Sequence, residues 1–94
     1  MDDEKVCAEF ILYSRNWDTI HAVIQGLTNR GFQSYEVGRG RISISASHSQ
    51  YLERLSINLK PEGRAYVPAE AIVMPEDLKP YVQSISFSSS LKFF

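Results

Sequence analysis

With 94 residues, of which 44% are hydrophobic and 12% aromatic, the chain has the apolar material for one compact core and is too short for two, so residues 1–94 read as one domain. A net charge of −1 supplies no global field that would draw nucleic acid or an anionic membrane surface. Cys7 is the only cysteine, which excludes an intrachain disulfide and a multi-thiolate zinc site and leaves a cytoplasmic address as the expectation.

Residues 6–13, VCAEFILY, are dense in apolar and aromatic side chains with one charge, the pattern of a central strand buried on both faces. The apolar run Phe10–Tyr13 is too short for a secretion signal or a membrane span, so neither is expected. Asn16 then offers a helix N-cap, Asp18 places a negative charge in the first turn, and Gly31 stands where a left-handed cap is wanted. The spacing of Trp17, Ile20, Val23, Ile24 and Leu27 predicts a helix over residues 17–30 with those side chains as its buried stripe. Gly26 weakens that helix by about 1 kcal/mol relative to Ala, which points to a close approach by a neighbouring backbone.

Phe32, Tyr35 and Val37 suggest a second strand, and Gly38-Arg39-Gly40 a reversal into RISISAS, where Ile42, Ile44 and Ala46 alternate with serines. These two strands read as a hairpin. Ser47 and Gln50 have the spacing of a capping box, and Tyr51, Leu52, Leu55 and Leu59 fall on one helical face before Pro61, although Leu55, Ile57 and Leu59 also fit a strand. A turn at Pro61-Glu62-Gly63 follows, then an ambiguous stretch from Arg64 to Met74, where Pro68 limits any strand to an edge. Pro75, Glu76 and Asp77 have the character of a first helical turn that Pro80 limits or distorts, so a short helix or a turn is expected there. Ile85 and Phe87 alternate as a late strand, and Phe93-Phe94 end the chain in an apolar tail.

The order of elements defines an α+β, ferredoxin-like sandwich, βαββαβ with a C-terminal extension, in which two helices cover one face of an antiparallel sheet. This order resembles that of small ferredoxin-like nucleases, including the CRISPR-associated spacer-integration subunit and a related antitoxin ribonuclease. The resemblance implies an acidic residue at or just after the end of the first strand. Here Asp18 comes later, after Ser14, Arg15 and Asn16, inside the helix.

No catalytic set is legible. His21 and His48 lack a second ligand at a metal-binding spacing, so no metal and no cofactor are expected. Cys7 sits in an apolar strand and reads as a core or near-core filler, and none of the serines lies in a nucleophile elbow. Gly38-Arg39-Gly40 lacks the third glycine of a phosphate cradle and reads as a hairpin tip.

Two clusters remain as candidate binding residues. Arg15 and Trp17 stand with Ser14, Asn16 and Asp18 at the start of the first helix, as an anion-binding corner or simply a well-capped helix end. Arg30, Tyr35, Arg39 and Arg41 combine guanidinium groups with an aromatic ring, as single-stranded nucleic-acid sites do, or form a solvated hairpin. The leading expectation is a non-enzymatic regulatory or inhibitor-like protein that meets a protein partner through a sheet face, a sheet edge or the arginine-bearing hairpin. The alternatives are an RNA-binding protein or weak endoribonuclease, with arginines on phosphates, and a small-molecule-sensing homodimer with its ligand near residues 14–18.

Overall fold

The computed structural model describes residues 5–38, 40–63 and 65–89. The chain forms β1 (Lys5–Leu12), α1 (Trp17–Asn29), β2 (Ser34–Gly38), β3 (Arg41–Ser47), α2 (His48–Leu55), β4 (Leu59–Glu62), β5 (Ala65–Pro68) and β6 (Val82–Ser89). Four strands make an antiparallel sheet in the order β2-β3-β1-β6, and β4 and β5 form a separate two-stranded ribbon. The sequence placed the extra chain after the last strand. Instead, β4 and β5 are inserted between α2 and β6, and the expected apolar tail at Phe93-Phe94 lies outside the described residues.

The sheet is covered on one side. Val6, Ala8, Phe10 and Leu12 of β1 are buried with Ile42, Ile44 and Ala46 of β3, in one cluster with Ile20, Val23 and Leu27 of α1 and Tyr51 and Leu55 of α2. Cys7, Glu9 and Ile11 alternate with them and are half-buried on the opposite face. The expectation that β1 is buried on both faces is therefore corrected: the strand is central, but both helices lie on the same side. Cys7, opposite Ser45 of β3, belongs to the open face rather than the core.

Local signals set the helix ends. The Asn16 side chain accepts the Thr19 N–H at 3.0 Å, and Gly31 follows the helix at φ +86°, as a left-handed cap requires. Ser47 and Gln50 form the capping box, with Gln50 N–H donating to Ser47 Oγ at 3.3 Å and Ser47 N–H to Gln50 Oε1 at 2.9 Å. Two expectations are corrected here. Trp17 is 65% exposed and lies outside the buried stripe, which begins at Ile20. The second helix ends at Ser56 in the left-handed conformation, φ 57°, so Leu59 belongs to a strand. Its Leu52 is also exposed.

Residues 76–81 form consecutive turns rather than a helix, closed by N–H groups of Leu78 and Lys79 on the Pro75 carbonyl and of Val82 on that of Leu78. They carry Leu78, fully buried, against Gly26 of α1, where a Cβ would come within 2.8 Å of Leu78 Cδ2. The absent side chain lets this segment lie on the helix, and the approach is by side chains rather than backbone.

Candidate functional site

Cross-strand register fixes the open face of the sheet. Tyr35 of β2 stands opposite Ser43 of β3, Ser43 opposite Glu9 of β1, and Glu9 opposite Ser86 of β6, so one row of side chains crosses all four strands. In the next row Arg41 lies opposite Ile11, and Ile11 opposite Ser84. Arg41 and Glu9 join the two rows as a diagonal ion pair at 2.9 Å. A shallow depression of about 220 Å³ lies between Glu9, Ser43 and Ser86, with Cys7 and Val37 among its lining residues.

The outer strand β2 presents the most apolar surface of this face. Its register shifts between Glu36 and Gly38, so Val37 is the extra residue of a bulge. Tyr35 is 57% and Val37 54% exposed. Among the described residues no strand pairs with the far side of β2, whereas β5 packs alongside the other outer strand, β6.

The candidate residues named from sequence fall into separate places. Arg15 lies against the β2–β3 turn: a Cβ on Gly40 would sit 3.4 Å from Arg15 Cγ, and the Leu12 N–H donates to the Gly40 carbonyl at 2.9 Å. Arg41 leaves that turn onto the open face, where Glu9 neutralises it. Trp17 projects from the start of α1 and stacks on His21, centroids 5.9 Å apart and planes within 7°. Asp18 is exposed in the first turn of α1. Arg39 lies outside the described residues.

Arg30 is held at the other end of α1. Its Nη1 donates to Asp77 Oδ2 and to the Gly26 carbonyl, both at 2.9 Å, and its Nη2 to Asp77 Oδ1 at 2.7 Å. These bonds from Arg30 hold the Asp77 carboxyl below its ordinary value, against a smaller opposing effect of desolvation. The guanidinium is thereby engaged in pinning the 75–81 turns to α1. Arg54 of α2 also works within the fold, donating from Nη1 to the Arg30 carbonyl at 2.7 Å.

Sequence reasoning did not single out Glu9, Val37 or Ser86 as a group, because only the register of three strand pairs brings them together. His48 directly follows the Ser47 N-cap. It is half-buried at the start of α2, stacks on Tyr66 at 5.9 Å, and its buried Nδ1 has no hydrogen-bond partner among the described residues. Among the described residues no three His, Cys, Asp or Glu side chains gather as metal ligands would. No helix among them is long and apolar enough to cross a membrane.

Comparison with protein families, with curated proteins and with solved structures finds no match. The class to which the geometry belongs is an α+β protein that has, among the described residues, a four-stranded antiparallel sheet, two helices and no element covering the second sheet face.

Proposed function

We propose that this chain is a ferredoxin-like sandwich carrying an inserted hairpin, and that it is a non-enzymatic regulatory module whose open sheet face and β2 edge bind a protein partner. The fold reading rests on β6 standing beside β1 in the place of the fourth strand, with β4 and β5 as the insertion. The observation that carries the function is the exposure of Tyr35 and Val37 on an outer strand beside the Glu9–Ser43–Ser86 depression. An aromatic and an aliphatic side chain flanked by hydroxyls and one ion pair have the composition of a small protein-recognition patch. The bulge at Val37 discourages unspecific strand pairing at this edge and favours a partner shaped to it.

The test is a pull-down from cell extract with wild type, Tyr35→Ala and Val37→Asp, each with and without nuclease. Retention of a specific polypeptide after nuclease, lost in both variants while their melting curves stay cooperative, is the expected result. A second reading, an RNA-directed protein, is favoured by the exposed Trp17–His21 stack near Arg15, since stacked rings and guanidinium groups suit unpaired bases and phosphates. It requires retention that nuclease abolishes and that Trp17→Ala weakens.

A further inference from the structure

The β4–β5 hairpin comes apart at its base. Its strands pair from Glu62 and Ala65 to Leu59 and Pro68, and one further bond, from the Ala69 N–H to the Asn58 carbonyl at 2.7 Å, continues the ladder. Beyond that bond the arms separate. One turns through left-handed Ser56 into α2, and the other runs without regular structure from Ala71 to Pro75. Between them lies a cleft of about 400 Å³, lined by Ser56, Ile57 and Asn58 on one side and residues 70–73 on the other. It adjoins a second cleft of about 380 Å³ through the shared Ser56 and Val73, and that one is lined by Arg54 and Met74 as well.

The 70–74 segment has the side-chain pattern of a strand with no strand beside it. Ile72 and Met74 pack on the core while Ala71 and Val73 alternate outward, Val73 at 76% exposure. Among the described residues, none of residues 70–74 takes part in a backbone hydrogen bond. Main-chain donors and acceptors are otherwise almost always paired or hydrated, and an unpaired strand-like segment beside a cleft is the template that strand addition uses. At the far end, exposed Arg54 donates one hydrogen bond to the Arg30 carbonyl and, among the described residues, forms no ion pair, although Glu76 lines the same cleft.

We infer that residues 70–74 receive an extended segment of a partner polypeptide by strand addition, with an apolar side chain entering the cleft beside Ile72 and Val73 and an acidic residue reaching Arg54. This surface is distinct from the open sheet face and does not depend on the role assigned to that face. Main-chain bonding supplies the attraction, and the cleft and Arg54 supply the choice of side chains.

The test uses the whole chain and two fluorescein-labelled heptapeptides of alternating Val and Thr, one ending in Asp and one in Lys, followed by anisotropy and amide hydrogen exchange. Saturable binding is expected, tighter for the Asp peptide by about tenfold, the size of one charge-assisted contact. Exchange should slow at residues 71–74, and Val73→Pro should weaken binding about tenfold by removing one N–H at an exposed position. Ala71→Pro serves as a second variant if Val73→Pro lowers the melting temperature, and Arg54→Gln should erase the preference for Asp. No saturation by either peptide at millimolar concentration would overturn the inference. So would protection confined to residues 34–38, or protection at 71–74 that rises with protein concentration alone, which would make the occupant a second copy.

Discussion

The hydroxyl of Tyr51, on α2, donates to the main-chain carbonyl of Val6, on β1, at 2.7 Å in the fully buried interior. Phe87 of β6 meets the same ring edge-on with centroids 5.4 Å apart, and Phe32 stacks against it at 6.1 Å. One side chain thus joins α2 to two sheet strands and to the segment after α1. Tyr51→Phe keeps the packing and removes the hydrogen bond, so it should cost about 1 kcal/mol in urea unfolding. Tyr51→Ala should cost about 3–5 kcal/mol, as loss of a large core aromatic does.

Burial also pushes the Tyr51 phenol well above its ordinary value. Because the folded value is raised, the neutral phenol's contribution is complete below the unfolded pKa of about 10 and declines as the pH rises above it. Wild-type stability should therefore fall more steeply above about pH 10 than that of Tyr51→Phe, as measured by urea midpoints across that range.

Asp77 titrates in the opposite sense. Its folded pKa is depressed by Arg30, so its contribution is present above the unfolded value of about 3.9 and is lost as pH falls through the lower folded value. The pair is partly exposed, so Asp77→Asn should cost no more than about 1 kcal/mol at pH 7. The gap in melting temperature between wild type and variant should close in acid and narrow in high salt.

Gly26→Ala would improve helix propensity by about 1 kcal/mol, yet the new Cβ would crowd Leu78, which has no room to retreat. A net loss of about 1 kcal/mol is expected. Leu78→Ala in the same chain should remove the crowding, so the two changes should be non-additive in a double-mutant cycle.

Ser56 adopts φ 57° without being glycine. Ser56→Gly should relieve that left-handed conformation and raise stability by about 0.5–1 kcal/mol, read as a higher melting temperature.

The parts of this architecture that short-range chemistry dictates were legible in the sequence. Asn16, Gly31 and the Ser47–Gln50 box each act within four residues of a helix end, and the structure places all three where that chemistry expects them. What depends on distant chain was not. The apolar character of Ile11 and Cys7 hides that only one face of β1 is covered, because coverage is decided by where both helices land. Trp17 fits the helical period, but the buried surface of the sheet begins to meet α1 only at Ile20. Leu55, Ile57 and Leu59 satisfy two periodicities, and the left-handed turn at Ser56, which carries no glycine to announce it, decides between them. Pro68 limits a strand to an edge, as the two-stranded ribbon bears out, whereas Pro61, which reads as part of a turn, sits in that ribbon too, where a missing donor is tolerated. The engagement of Arg30 rests on Asp77, 47 residues away, and no local pattern signals it.

The role assigned to the open sheet face is tested most directly by placing a photo-crosslinking amino acid at Val37, with the exposed helix position Leu52 as control, and irradiating each protein in cell extract. A discrete polypeptide adduct from position 37, nuclease-resistant and missing from position 52, is the predicted result. An adduct at position 37 that nuclease removes, or polypeptide adducts from position 52 alone, would contradict it.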